Sequence, residues 1–411
     1  MIETKKTSVL GQVLILPVII IAMGYFVDIY DLIVFGVVRV ASLTELGLSS
    51  EEITSWGSVI LNMQMGGMLL GGILWGILGD KKGRLSVLFA SIILYSVANL
   101  LNAFVTNVEQ YALLRFIAGI GLAGELGAGV TLIAEILPQH LRGYGVATIA
   151  SFGVLGVVAA DLVAEHFAWR NAYIFGAVLG LLLLVLRFKV RESDMFTHHV
   201  SDDVKRGDFF ALFTHKRLLI KYIKAILIGV PLWYVVSILV MFSPEFAKAL
   251  AITDKISAGQ ALMYCYIGLA FGDLGSGFLS QWMKSRKKAF FVFMLLSLVS
   301  VLYYYTLQGA SAAQFYMAVF FLGLFCGYWA LFITMAAEQF GTNIRATVAT
   351  TVPNFVRGAV VPITSSFIYL KGSMGALYAG ALVGAVTFIL AFLALALTHD
   401  TFHKDLDYIE A

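Results

Sequence analysis

Polar residues in this chain are confined to short intervals between long apolar stretches, and the spacing of those intervals is the first thing the sequence shows. Twelve apolar runs lie near 12–38, 54–78, 85–106, 110–138, 145–166, 171–188, 222–243, 257–282, 289–308, 312–337, 347–369 and 374–398. Each is close to or above the ~20 residues that an α-helix needs to cross a hydrocarbon core of about 30 Å. The pattern therefore predicts an all-α membrane protein of twelve transmembrane helices. The first run is too long for a signal-peptide core and carries no small-residue cleavage site, so it is kept as the first span. One long polar segment, from about Arg187 to Lys221, has no apolar period and divides the runs into six and six. The expected organisation is a bundle over 1–188, a linker over 189–220 and a second bundle over 221–411.

The basic residues sharpen this topology. They gather at Lys5 and Lys6, at Lys81, Lys82 and Arg84, at Arg142, through the central linker, at Lys284 to Lys288, and at Arg345 and Lys404. The alternate connections carry few, chiefly Arg39, Arg170, Lys248, Lys255 and Lys371. The positive-inside rule then places both termini and the linker in the cytoplasm, which is consistent with an even number of spans. Composition agrees: 60% hydrophobic, 13% charged and a mean hydropathy of +0.89 exceed what one aqueous core can bury. A net charge of +3 gives no footprint for nucleic acid. Cys265 and Cys326 both fall in apolar runs and read as buried hydrophobes. Short loops and the lack of a targeting segment favour a bacterial inner membrane.

The halves repeat one another. Glu135 and Arg142 stand seven residues apart after the fourth run, Glu338 and Arg345 seven apart after the tenth, and both pairs are offset by 203 residues. A duplicated six-helix unit is a recurrent carrier design, with the solute held near the midplane between the halves.

The loop after the second run reads Gly76-Ile-Leu-Gly-Asp80-Lys81-Lys82-Gly83-Arg84. Here the chain resembles the major facilitator superfamily, whose signature in this loop is glycine, three residues, aspartate, a basic residue, any residue, glycine and arginine. Gly277 to Lys288 occupies the equivalent place in the second half but lacks the acid. Arg115, Gly119, Gly121 and the stretch Ile133 to Gly143 resemble the fourth span and following loop of the sugar porter and metabolite:proton symporter branches. Arg191-Glu192-Ser193 resembles their element after the sixth span, with Asp194 where proline is usual. The resemblance implies a cytoplasmic gate of Gly76, Asp80, Lys81, Gly83, Arg84, Glu135, Arg142, Glu192, Glu338 and Arg345. It also implies a proton-coupling pair, since a first-span aspartate facing a fourth-span arginine maps onto Asp31 and Arg115.

Depth arithmetic is consistent with that pair. At about 1.5 Å per residue, Asp31 lies roughly 28 Å from the cytoplasmic start of its run and Arg115 roughly 34 Å from the cytoplasmic end of its own. Asp28, one turn away on nearly the same face, is the alternative or auxiliary carboxylate. The competing reading is a static ion pair that only holds helices together. Glu125, about 15 Å beyond Arg115, falls near the midplane, where an unpaired carboxylate is costly. It is expected to contact substrate or proton, against a protonated glutamate packed between helices. Arg357, about 16 Å into the eleventh run and close to Asn354, Pro353 and Pro362, is the expected counter-charge for an anionic substrate group. Asp273 is its alternative, internal partner. Trp233, Tyr264, Tyr328 and Trp329 are candidates to line the same pocket, against plain packing. Gly119 to Gly124 matches G-x-G-x-x-G but sits within a membrane helix, where it serves close packing.

The chain contains no catalytic triad, phosphate loop or metal-ligand spacing, so an enzyme is not expected, nor any cofactor or metal, with a proton as the coupling ion. The expectation is a monomeric carrier in the lipid bilayer that takes up a small polar organic metabolite by alternating access. A uniporter or a proton-driven exporter of the same fold stays open, although the fifth run lacks the glycine-proline motif of drug antiporters. From another class, a transporter-like sensor would have no use for intramembrane Asp31, Arg115, Glu125 and Arg357.

Overall fold

With no water in a bilayer to satisfy peptide groups, each apolar run must close its own backbone hydrogen bonds, and helices are the result. The computed structural model describes residues 16–82, 84–136, 142–188, 209 and 211–402. The first half comprises α1 (Leu16–Glu45), α2 (Ser50–Lys82), α3 (Arg84–Asn102), α4 (Val108–Ile136), α5 (Arg142–His166) and α6 (Trp169–Arg187). A short helix α7 (Ala211–Thr214) leads into α8 (Lys216–Tyr234), which widens into a π-turn over Val235–Val240 just past Pro231. There follow α9 (Ser243–Ala249), α10 (Ala258–Trp282), α11 (Arg286–Tyr304), α12 (Ala312–Cys326), α13 (Trp329–Glu338), α14 (Thr342–Gly358) and α15 (Val360–Ala396).

The tenth span is α12 and α13, broken at Gly327 and Tyr328. The eleventh is α14 with the start of α15, and the twelfth is the remainder of α15 beyond Gly375, where φ of 78° interrupts the helix. The chain is thus a twelve-helix membrane bundle in two halves.

The internal repeat reappears in the packing. In the first half α2 lies along α4, and in the second α10 lies along α12. At both seams the helices approach at glycine. A Cβ on Gly119 would overlap the Gln64 carbonyl, and one on Gly323 would overlap the Cys265 carbonyl. Backbones this close gain van der Waals contact that larger side chains would prevent. Between the halves, α2 packs on α14 and α15, while α10 packs on α5 and α1. Asn354 on α14 donates to the Ala123 carbonyl of α4 at 3.2 Å, a hydrogen bond directly across the seam.

At the basic-loop end of the second half, Glu338 accepts from Arg286 at 3.3 Å and from Thr401 at 2.6 Å. Nearby Asp400 accepts from Ser285 and from the Arg286 and Phe402 amides. Partial burial pushes its carboxyl up, but these hydrogen bonds outweigh burial and hold it below the usual carboxylate range.

Candidate functional site

Six charged side chains meet inside the bundle. Asp28 and Asp31 on α1, Glu125 on α4, Arg115 on α4, Arg187 on α6 and Arg357 on α14 are all at least 96% buried, three acids against three bases. How they pair determines which of them is available for chemistry.

Glu125 is already matched. Arg187 donates to both of its carboxylate oxygens, at 2.8 and 2.5 Å, and Ser91 donates at 3.1 Å. Arg187 also bonds the Leu88 carbonyl at 2.8 Å. Glu125, expected to contact substrate or proton, is thus held in this structure by Arg187 and Ser91. Its burial is offset by a bidentate guanidinium, the arrangement best suited to a carboxylate. Arg187, at the edge of the central polar segment in the sequence, closes α6 with its head turned into the bundle.

Arg115 is matched differently from the expected pair. Its guanidinium donates to Asn99 at 2.8 Å, to Gln64 at 3.3 Å and to the main-chain carbonyl of Asp31 at 2.8 Å, and lies 5.6 Å from the Tyr173 ring centre. Its hydrogen bond is to the backbone of Asp31, and its charge acts on the Asp31 carboxylate without a direct hydrogen bond. Neither oxygen of Asp28 has a hydrogen-bond partner among the described residues, whereas Asp31 has the Asn99 side chain beside it, short of good hydrogen-bond geometry. A buried carboxylate without a donor is unusual, because buried polar groups are nearly always satisfied.

Arg357 faces them from the other half. Its guanidinium carbon sits 5.7 Å from the Trp233 ring centre and 5.8 Å from that of Trp329. Among the described residues it makes one hydrogen bond, to Asn354 at 3.3 Å, and its Nε has none. No ion pair joins Arg357 to Asp28 among the described residues. The internal Asp273–Arg357 pair is also not formed. Asp273 instead accepts from the Ala330 amide at 3.1 Å, capping the helix that restarts at α13.

A cavity of about 180 Å³ lies between α1, α5, α10 and α13, walled by Tyr25, Tyr266, Trp329, Asp273 and mainly aliphatic side chains; Arg357 does not line it and is linked to it through Trp329. Of the aromatic candidates, Trp233 and Trp329 reach the centre, in edge-to-face contact at 6.3 Å. Tyr264 does not: it stacks on Tyr316 and is 38% exposed, being two residues and hence about 200° round the helix from Tyr266, which does. Tyr328 packs against Phe290 at 4.5 Å, behind the cavity wall.

At the end opposite the basic loops, the halves are clamped by residues that loop-charge counting had treated only as topology markers. Arg39, wholly buried, donates to both carboxylate oxygens of Glu245 at 2.8 and 2.9 Å and to the Met241 carbonyl at 3.2 Å. It covers the Phe242 ring at 4.5 Å, and Thr54 adds a 3.2 Å bond to Glu245. The one available signal was that the apolar pattern runs on past Arg39 through Val40 and Ala41.

Of the expected cytoplasmic gate, Glu338 is bonded as described above and Gly76 lies beside Thr351 of α14, where a Cβ would meet it at 3.7 Å. The side chains of Asp80, Lys81, Arg84, Glu135, Arg142 and Arg345, and Gly83 and Glu192 entirely, lie outside the described residues.

Comparison with known proteins supplies the remaining context. A relative from Haemophilus influenzae named "Putative metabolite transport protein" is 28% identical over 394 residues, spanning 92% of this chain and 91% of its own. The niacin transporter NiaP of Acinetobacter baylyi is 32% identical over 178 residues, 42% of this chain and 40% of that one. The sialic acid transporter NanX of Escherichia coli is 29% identical over 206 residues, 49% of each. Among solved structures, the partially occluded, inward-open xylose transporter XylE from E. coli superposes with a TM-score of 0.74, covering 95% of this chain and 99% of that one at 16% identity, a likeness of fold. The sequence model of the Major Facilitator Superfamily matches residues 21–363, and with that span and this fold the chain belongs to the Major Facilitator Superfamily of metabolite transporters.

Proposed function

We propose that this transporter is a proton-coupled symporter that takes up a small polar organic metabolite, as a monomer in a bacterial inner membrane with both termini cytoplasmic. One observation carries the reading: Asp28 and Asp31 are buried one turn apart on α1, and among the described residues the Asp28 carboxylate has no hydrogen-bond donor while Asp31 has only the Asn99 side chain and the charge of Arg115 beside it. A purely structural acid would be expected to have a partner, as Glu125 has in Arg187. Two like charges at this spacing in a low dielectric favour holding one proton between them. That proton is exchangeable when the surrounding arginines change position.

Arg115, fixed to the Asp31 carbonyl and to Asn99 and Gln64, keeps α1, α2, α3 and α4 in register around the pair. Arg357 approaches it from the second half. Rocking the halves about the α2–α14 and α5–α10 seams changes the distance between Arg357 and the pair, which links proton binding to the side on which the site is open. With the Arg39–Glu245 clamp closed and the XylE-like fold inward-open in its relative, the state described is sealed at the outer end. Niacin and sialic acid, named for two relatives, are both carboxylic acids, and a guanidinium between two indoles suits such a group.

The test is accumulation in proteoliposomes. With the lumen at pH 8 and the exterior at pH 6 (about a hundredfold proton ratio), labelled D-xylose, L-proline, nicotinate and N-acetylneuraminate are supplied in turn, with protein-free liposomes as the blank. At least one solute should accumulate above its external concentration, and Asp31→Asn should retain exchange of that solute while losing the gradient-driven excess by tenfold or more. Equilibration without accumulation in the wild type would show a uniporter, and full accumulation by Asp31→Asn would remove that residue from coupling.

A further inference from the structure

The first turn of α8 is built against its own helix dipole. Lys216 and Arg217 open the helix, no acid stands in that turn, and the N-cap His215 gives no side-chain bond to the first amides. Cations are ordinarily unfavourable at this end, where unpaired N–H groups already carry partial positive charge. Lys221 follows Arg217 by four residues and Lys224 follows Lys221 by three, so like charges neighbour one another along the same face. The contrast is α2, which begins with Glu51 and Glu52. The bias of basic residues toward one side of the membrane accounts for their number. It does not account for gathering them on the positive end of one helix.

These side chains surround a groove. Lys216, Arg217, Lys221 and Lys224, with His399 from beyond α15, line a space of about 790 Å³ between the start of α8, the turn joining α13 to α14 and the chain that follows α15. Asp400, the one acid lining it among the described residues, is already committed, accepting from Ser285 and from the Arg286 and Phe402 amides. Lys224 donates to the Leu397 carbonyl at 2.9 Å and so ties the two walls together. Lys216 and Arg217 are exposed and make no ion pair or side-chain hydrogen bond among the described residues. We infer that this groove binds the phosphate headgroup of an anionic phospholipid, held by Lys216 and Arg217 at the start of α8.

The cations call for an anion, and the rest of the wall calls for an amphiphile. Ile220 lines the groove and is 46% exposed, Ile223, three residues further into the span, is 44% exposed, and Leu397 past the end of α15 is 69% exposed. A soluble phosphate ester would leave these apolar side chains uncovered. A phospholipid covers them with its acyl chains while its phosphate meets the guanidinium fork of Arg217 and the Lys216 ammonium, the arrangement by which basic pockets at the cytoplasmic ends of membrane helices take up lipid headgroups.

The consequence is for the second half. A headgroup in the groove neutralises the repulsion in the first turn of α8 and joins that turn to the end of α15. Binding to the folded form alone raises its stability by mass action. The inference rests on the fold and on this groove, and is independent of what the carrier transports and of how transport is energised.

Full-length protein in a neutral detergent tests this by native mass spectrometry and thermal unfolding, with dioleoyl phosphatidylglycerol, dioleoyl phosphatidylcholine and inorganic phosphate added separately. The expected result is that phosphatidylglycerol binds tenfold or more tighter than phosphatidylcholine and raises the melting temperature, while inorganic phosphate at the same concentration does neither. Lys216→Gln combined with Arg217→Gln should lose tenfold or more in affinity for phosphatidylglycerol. Without lipid that variant should melt no lower than the wild type, because the repulsion in the first turn has gone. Lys284→Gln combined with Lys288→Gln, exposed bases at the same end of the molecule that do not line the groove, should keep the wild-type affinity. Phosphatidylcholine binding as tightly as phosphatidylglycerol, an equal loss in the Lys284 and Lys288 variant, or wild-type affinity in the Lys216 and Arg217 variant would each overturn the inference. Inorganic phosphate reproducing the stabilisation would overturn the assignment to a lipid.

Discussion

Replacing Arg187 with alanine is expected to destabilise the first bundle by about 3–5 kcal/mol, the usual cost of leaving one member of a buried ion pair without the other. Glu125 would keep only the Ser91 hydroxyl and would have to take up a proton or drag water into the seam between α3, α4 and α6. Gly24 of α1 is packed against this pair so closely that a Cβ there would overlap the Arg187 guanidinium, so the disturbance reaches the helix that carries Asp28. The check is thermal unfolding of detergent-solubilised protein followed by tryptophan fluorescence. Arg187→Ala should melt several degrees below the wild type, and the double replacement Glu125→Gln with Arg187→Met should recover most of the loss, because no charge is then stranded. An unchanged melting point for the single variant would show that the pair contributes nothing to the fold.

The second large effect concerns the clamp at the outer end. Arg39 has no exposed surface, and Glu245 is its only carboxylate among the described residues. Glu245→Ala strands the guanidinium only while the outer end is closed, since opening gives it water. At about 3 kcal/mol, the low end for such a loss, the balance between closed and open forms moves more than a hundredfold, at 1.4 kcal/mol per decade. Spin labels on Thr44→Cys and Lys255→Cys, exposed positions on opposite halves at that end, report it directly. The distance distribution should shift to longer separations in Glu245→Ala, and transport should fall with it. A distribution identical to that of the unmutated clamp would show that the halves are held by packing alone. Glu245→Asp should lie between the two, because the shorter acid reaches Arg39 with weaker geometry.

These two sites also mark where reading residues in order stops being sufficient. The twelve runs, the midpoint division and the presence of charge inside apolar helices are local properties, and each is visible in a window of about 20 residues. Which charge meets which is not local. Arg39 and Glu245 are separated by 206 positions, and Arg187 and Glu125 by 62. Their meeting depends on the rotation of each helix about its axis and on the seam between halves. Arg187 ends an apolar run, the place where arginine ordinarily reaches out to the membrane surface; only the fold shows that its head turns inward. The same rotation decides between Tyr264 and Tyr266, equally plausible in sequence and on different sides of one helix. Asp31 and Arg115 were legible as a pair through the resemblance, with depth consistent with it, but the atom to which Arg115 donates, a carbonyl and not the carboxylate, belongs to geometry that spacing does not encode. Arg357 and Asn354 stood out as polar residues in an apolar run, and the structure brings them together with Trp233 and Trp329 as one constellation.

The roles of the charged residues then separate. Glu125 with Arg187 and Arg115 with its amides are structural supports for α1, while Asp28, Asp31 and Arg357 retain unfilled bonding capacity at the seam. That division makes the coupling claim narrow enough to test directly. Proteoliposomes loaded with the pH indicator pyranine, with no imposed gradient, are given the solute that accumulates in the pH-gradient assay. The account predicts prompt acidification of the lumen in the wild type and none in Asp31→Asn. Solute entry into wild-type vesicles with no change in lumenal pH would contradict it.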